Sequence, residues 1–275
     1  MIFAMRCNAE TAFFTYIIKN TISFLPETHL MNEPELFSIL DCVDSTNNYA
    51  MGQVHAGLAR HGQAWFAKEQ TAGKGQRGKQ WESRRGENIT ISIVFMPTGL
   101  RPDQLFTLSV AVSLGCFDFF TAAAGNKTSI KWPNDIFWGD RKAGGILIEN
   151  IIQGNSWKYA VIGIGININQ IEFNPGTTNA TSLKQITRKD HDTVALAKKL
   201  YASVMKRIEE MNTDSFSSLL QEYNLHLYKL NSLVTLKKAG VIFKAEITGV
   251  KDNGKLLTAG VSDNEFDFGE VEWLL

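Results

Sequence analysis

KWPNDI, residues 131–136, reads as a strand that starts near Ser129 and runs into a rigid corner. Pro133 fixes its own φ and biases Trp132 toward an extended conformation, so Asn134 and Asp135 are presented where the strand stops. A carboxylate beside a carboxamide at such a corner suits a hydrated Mg2+ or a ribose hydroxyl, and it equally suits an ordinary Asn-Asp turn. Outward from the corner, Arg141-Lys142-Ala143-Gly144-Gly145 leads into the apolar run Ile146–Ile148 and Glu149. Lys142 there either aims its ammonium along a strand end or sits in a solvated hairpin turn. Gly145–Glu149 and Tyr159–Asn169 are both β-like, and Gly154-Asn155 between them is a hairpin signal. The second run contains Gly163-Ile164-Gly165-Ile166-Asn167. Glycines at alternate positions strip the side chains from one face, so a ligand or another backbone can lie flat on the sheet. It is not the dinucleotide fingerprint, because Ile168 stands where the third glycine belongs and no helix follows.

On the other side of the corner, Asp44-Ser45-Thr46-Asn47-Asn48 is a turn or a helix N-cap, and Gln63–Ala67 is a short strand. Next comes Gly73-Lys74-Gly75-Gln76-Arg77-Gly78-Lys79-Gln80-Trp81. Its glycines permit close backbone approach, and Lys74, Arg77 and Lys79 add cations, so the segment can wrap an anion or form a basic surface loop. Gly73, Gly78 and Lys79 fit the P-loop spacing, but Gln80 replaces the hydroxyl that holds Mg2+ and an alternating strand follows instead of a helix. In that strand Ile89, Ile91, Ile93 and Phe95 alternate with Thr90, Ser92 and Val94. Helical spacing follows at Leu105, Leu108, Val112, Cys116 and Phe119, again from Ala197 to Met211, and from Phe216 to Leu227 with Asp214 as its cap. After Asn231 short β-like runs take over, with Asn253-Gly254 as a tight turn, which sets a boundary near residue 229.

The chain has 275 residues, with 28 Lys+Arg against 28 Asp+Glu, and 44% are hydrophobic. This composition excludes disordered, coiled-coil and collagen-like chains. A net charge of zero gives no electrostatic footprint for nucleic acid. Three scattered cysteines form neither a disulfide framework nor a CxxC pair, and the five histidines show no metal-ligand spacing, so a cytoplasmic compartment is expected. No run reads as the ~18–20 apolar residues that span a bilayer, and no membrane partner is expected. Ala12–Ile18 is apolar but too short for that role, and Lys19 ends it. Residues 1–32 therefore read as an N-terminal extension, with the domain proper over 33–228 and a small β-module over 229–275.

Taken together and in order, Asp44-Ser45-Thr46-Asn47, the glycine-rich loop ending in Trp81, KWPND, RKAGG at 141–145 and GIGIN at 163–167 resemble the biotin protein ligase family over roughly residues 35–275. The loop departs from the usual pattern of the family: Lys74, Gln76 and Lys79 stand where arginines are common. Lysine keeps the charge but loses the bidentate fork. Residues 1–34 show no pair of amphipathic helices, so the DNA-binding segment of the repressor-type members is not expected.

The resemblance implies an α/β (α+β) catalytic domain with a mixed sheet, related to class II aminoacyl-tRNA synthetases, and a C-terminal SH3-like barrel. It implies formation of biotinyl-5′-AMP from biotin and ATP with Mg2+. Biotin is then transferred to a lysine of the carboxyl-carrier domain of a biotin-dependent carboxylase. On this reading Lys142, Arg77 and Lys74 are catalytic. Ser45, Thr46, Asn47, Gln70, Gly73, Gly75, Lys142, Gly145, Gly163 and Gly165 hold biotin. Lys74, Gln76, Arg77, Trp81, Lys131, Asn134, Asp135 and Asn167 serve the nucleotide, and Asp135 serves the metal. A lipoate ligase of the same fold and a non-catalytic biotin or nucleotide sensor are the alternatives. The sequence leaves open whether the chain forms a homodimer.

Residues 1–30 carry none of these motifs. Removing them is expected to leave ligase activity and thermal stability nearly unchanged. Assay and melting of the chain begun at Met31 check this; loss of either would make the extension part of the fold.

Overall fold

The computed structural model describes residues 36–174, 179–211 and 215–274. The extension 1–32, its apolar run Ala12–Ile18 and the expected helix cap Asp214 lie outside the described residues. Seven strands make the main sheet: β1 (Phe37–Leu40), β2 (Ala64–Ala67), β3 (Asn88–Phe95), β4 (Thr128–Lys131), β5 (Asp135–Trp138), β6 (Arg141–Gln153) and β7 (Ser156–Asn167). Their order is β1-β2-β3-β7-β6-β5-β4. The β1–β2 pair is parallel and every other pair is antiparallel, so the sheet is mixed. The α-helices among the described residues are α1 (Thr46–His55), α2 (Leu105–Ala124), α3 (Leu183–Thr187), α4 (Thr193–Glu209) and α5 (Phe216–Leu225).

Register at the centre of the sheet decides which chemistry each face carries. Thr90 and Ser92 of β3 lie opposite Gly165 and Gly163 of β7, and those glycines lie opposite Gly145 and Leu147 of β6. Strand periodicity therefore gathers these residues on one face. The other face presents Ile89, Ile91, Ile93, Ile162, Ile164 and Ile166, buried in one core with Leu108 and Val112 of α2 and Leu200 and Val204 of α4. All eight residues of β3 are buried. The Ile/Thr/Ile/Ser alternation thus marks two covered faces of different chemistry, not one dry face and one wet face.

Helix α2 corrects two expectations. The sequence suggested a stripe at Leu105, Leu108, Val112, Cys116 and Phe119, yet burial runs almost all round the helix, from Thr107 to Phe120. Packed between the sheet and helices α4 and α5, it needs apolar residues on nearly every side. For the same reason Pro102–Ala124 is, by length and composition, long and apolar enough to cross a membrane, contrary to the sequence reading; 67% of its most apolar window is buried inside the fold. Contact with α4 is close. A Cβ on Gly115 would stand 2.7 Å from the Val204 Cα, and the Ser203 hydroxyl donates to the Gly115 carbonyl at 2.9 Å.

After α5 the chain forms β8 (Leu233–Lys238), β9 (Val241–Val250), β10 (Leu256–Ala259), β11 (Glu265–Phe266) and β12 (Glu272–Leu274). They make a five-stranded antiparallel sheet of order β11-β10-β9-β8-β12. Its buried residues Leu236, Ile247, Leu256 and Phe266 belong to the same core as the main sheet. Two polar clasps join it to the rest. The Asn224 carboxamide donates to the Val250 carbonyl at 3.0 Å and accepts from the Val250 N–H at 2.7 Å, and the Trp132 indole donates to the Gly254 carbonyl at 3.0 Å.

Gly115→Ala sets helix propensity against packing. Propensity alone favours alanine by about 1 kcal/mol, but overpacking against the α4 backbone costs more. A net loss of about 1–2 kcal/mol is expected in denaturant unfolding; an equally or more stable variant would show that the two helices separate freely.

Candidate active site

The glycine face of the sheet has a polar end. Helix α1 starts from Ser45 in extended conformation (φ −153°, ψ 136°), and the Ser45 side chain makes no capping bond. The Thr46 N–H donates instead to Gln70 Oε1 at 2.8 Å, and the Thr46 hydroxyl donates to the same oxygen at 3.1 Å. A residue from the far side of the loop thus satisfies an orphan donor at the helix start. The Ser92 hydroxyl donates to Asn47 Oδ1 at 2.5 Å and lies 2.7 Å from Thr46 Oγ1. Asn47 Nδ2 donates to Glu149 Oε2 at 2.8 Å. The Asn47 carboxamide fills the space where a Cβ on Gly163 would stand, so only glycine fits there. Beside this cluster, the hydrogen bond from the Asn48 carboxamide holds the Asp44 carboxyl below the usual carboxylate range.

Two strand positions along, the character changes to cationic and aromatic. Lys142 Nζ pairs with Asp135 Oδ1 at 2.6 Å and lies 3.4 Å from where a Gly145 Cβ would be. The Trp81 ring lies on Gly165, whose Cβ would collide with it, and Lys142 Nζ is 5.9 Å from the ring centroid. Trp81 arrives there on a hairpin closed by Gly75 N–H to the Lys79 carbonyl (2.7 Å) and Trp81 N–H to the Gly73 carbonyl (2.9 Å). From the same hairpin Lys74 faces Glu149 at 3.6 Å, and the Gln76 carboxamide donates to the Ile146 carbonyl at 3.3 Å. The Asn134 carboxamide donates to that carbonyl too, at 2.7 Å. The Trp81 indole N–H is buried with no hydrogen-bond partner among the described residues.

These groups surround a recess that is open to solvent. Of the sequence-predicted residues, Ser45, Thr46, Asn47 and Gln70 line one end, Lys74, Gly75, Gln76 and Trp81 come from the hairpin, Asn134 comes from the turn between β4 and β5, and Lys142, Gly145, Gly163 and Gly165 come from the sheet. The recess is lined as well by Thr90, which sequence reasoning did not single out, with Ser92 and Glu149 bonded to the polar cluster just behind it. For Thr90 and Ser92 the signal was the polar half of the β3 alternation, and it becomes readable only once β3 is known to pair with β7.

Five predicted residues lie outside the lining. Gly73 sits under the Trp81 carbonyl and beside Gln70, with no room for a Cβ. Asp135 borders the recess only through its ion pair with Lys142. Asn167 is buried, its carboxamide donating to the Thr181 carbonyl at 3.0 Å. Lys131 is held between the Phe137 and Trp273 rings, 5.5 and 5.0 Å from their centroids, and burial pushes its ammonium below the usual lysine range. The Arg77 guanidinium turns away from the recess, to 5.5 Å from the Phe268 ring. No group of three or more His, Cys, Asp or Glu among the described residues is arranged to hold a metal ion.

Comparison with known proteins finds relatives along most of the chain. Residues 39–167 match the model of the Biotin/lipoate A/B protein ligase family. The chain is 28% identical over 243 residues to the bifunctional ligase/repressor BirA of Bacillus subtilis, covering 87% of this chain and 73% of that protein. It is 28% identical over 226 residues to the biotin--[acetyl-CoA-carboxylase] ligase of Paracoccus denitrificans, covering 79% and 91%. The solved biotin protein ligase from Aquifex aeolicus in complex with biotin and ATP superposes with a TM-score of 0.73 at 25% identity, covering 86% of this chain and 98% of that one.

Ser92→Ala removes the hydroxyl that the Asn47 and Thr46 side chains share. Leaving those buried groups short of a partner is expected to cost about 1–3 kcal/mol in unfolding and to speed amide exchange in the first turn of α1. Unchanged stability and exchange would mean the cluster does not hold α1 in place.

Proposed function

The chain belongs to the biotin protein ligase family, and we propose that it joins biotin to a carrier lysine through biotinyl-5′-AMP. A biotin carboxylate oxygen attacks the α-phosphorus of ATP, the bond to the β-phosphate oxygen breaks, and pyrophosphate leaves. The ε-amine of a lysine on the carboxyl-carrier domain of a biotin-dependent carboxylase then attacks the acyl carbon. An amide forms as the bond from the acyl carbon to the bridging oxygen breaks, AMP departs with that oxygen and the bonding electron pair, and the amine's proton is released to solvent.

One observation carries the assignment of ends: a side-chain-free strip at Gly163, Gly165 and Gly145 with carboxamides and hydroxyls at one end and Lys142 at the other. A ring bearing N–H and C=O groups belongs at the Thr46, Asn47 and Gln70 end, and its carboxylate arm then reaches Lys142. A dithiolane head has no such donors and acceptors, so the polar cluster favours biotin over lipoate. Lys142 stands between two anions that must meet and stabilises the charge that develops as the acyl phosphate forms. Lys74 and Gln76 cover the phosphate from the hairpin, and Trp81 leaves the glycine floor to pack on the nucleotide. Mg2+ enters as part of the ATP substrate and neutralises its phosphates. Asp135 is a nearby carboxylate of this chain, and it already holds Lys142 at 2.6 Å.

Lys142→Ala is expected to slow biotinyl-AMP formation by on the order of 10²–10³ with the fold intact, since a preorganised donor to developing charge is lost. Lys142→Gln should be nearly as slow. Supplying biotinyl-AMP directly should restore transfer to the carrier at least in part. Single-turnover adenylate formation at saturating biotin and ATP decides it; a folded variant at the wild-type rate would remove Lys142 from the chemistry. Lipoate in place of biotin should give no adenylate.

A further inference from the structure

Arg77 is a loop cation that does not line the recess. Its backbone is left-handed (φ 55°, ψ 40°), a conformation that a side-chain-bearing residue keeps only where its surroundings impose it. The guanidinium lies 5.5 Å from the centroid of the Phe268 ring and packs so closely on Gly269 that a Cβ there would overlap it. Gly269 itself is at φ +79°. The turn that offers this seat is anchored on both flanks. The Glu270 N–H donates to the Asp267 carbonyl at 3.0 Å, Lys238 pairs with Glu270 at 2.6 Å, and Lys255 pairs with Asp267 at 3.2 Å. Phe268 is 49% exposed, yet its edge meets the Trp132 ring at 6.4 Å, and Trp132 is itself tied to Gly254.

We infer that Phe268 and Gly269 of the C-terminal sheet region are a seat for Arg77, and that Arg77 is a positioning residue that fixes the tip of the glycine-rich hairpin. The hairpin offers its two faces to different partners. Gln76 and Lys74 face the recess, to Ile146 and Glu149, while Arg77 between Gln76 and Gly78 points the opposite way. A tip held at Arg77 keeps Lys74 and Gln76 over the floor without placing any further side chain on the ligand. This account rests on the ligase reading for what the hairpin covers, but the contact itself does not depend on it. It also gives the small sheet a task in catalysis: loosening its turn should release the cover over the adenylate.

The test uses the full chain with Arg77→Ala, Phe268→Ala, the double variant and Phe268→Tyr, which keeps a ring. Amide exchange at residues 71–81 is read without ligand, beside thermal unfolding and the fraction of biotinyl-AMP that escapes into solution instead of reaching the carrier. Each alanine variant should exchange about two- to fivefold faster in the hairpin, the factor a surface cation–π contact supports. The double variant should go no further than either single one, Phe268→Tyr should match the wild type, and escape of the adenylate should rise. Two results would overturn the seat: Phe268→Ala exchanging like the wild type, or additive effects in the double variant. So would Arg77→Ala slowing adenylate formation while Phe268→Ala leaves it unchanged, because Arg77 would then act on the phosphate directly. A wild-type chain that forms no adenylate while its hairpin still responds to Phe268→Ala would sink the ligase reading and leave the seat standing.

Discussion

Three glycines on neighbouring central strands constrain almost everything else in the site. Gly145, Gly163 and Gly165 share one face because β6 and β7 pair with Gly145 opposite Gly165. Without their side chains the sheet has a bare strip, and the fold fills it from its edges: the Asn47 carboxamide against Gly163, the Trp81 ring against Gly165, and Lys142 against Gly145. The opposite face needs no such gap and carries β-branched residues packed on two helices. One antiparallel register therefore separates a dense core from a surface that can receive a flat ligand.

The charges along that strip are paired within the protein. Lys142 is held by Asp135 and Lys74 by Glu149, all four partly exposed. Ion pairs in such a setting are worth little, typically about 0–1 kcal/mol, so a polyphosphate can take over the cations at small cost. The carboxylates keep the two ammoniums near the strip until then, which makes them part of the preorganisation of the proposed phosphate site. Glu149 has a second bond, since it also accepts from the Asn47 carboxamide. It thereby links the polar end of the strip to the hairpin that covers it.

The candidate site is framed by joints between elements distant in sequence. Gln70 satisfies the first amide of α1, Trp132 of the KWPND corner is bonded to Gly254 in the C-terminal sheet, and Arg77 of the hairpin reaches the Phe268 ring. A continuous core under the two sheets makes these joints stiff. The C-terminal strands are thus built into the frame that carries the hairpin.

Short-range patterns in the sequence determined a good deal. The alternation at 89–95, the glycine pairs and the turn at Gly154-Asn155 pointed to β3, β6 and β7; thirteen of the residues that line the recess came instead from the family resemblance that the ordered motifs carry. Such features are local: a glycine, a proline or a period of two acts within a few residues and needs no partner to be read. Tertiary structure alone decided the rest. Ser92 joins the site because β3 pairs with β7, Arg77 leaves it because Phe268 and Gly269 fold up beside it, and Lys131 is drawn between Phe137 and Trp273. Even the apolar length of α2, which alone would suit a membrane, is explained only by the sheet and helices packed round it. Composition states that a side chain is charged or apolar; what it meets is set by contacts across tens of residues, and those exist only in the folded chain.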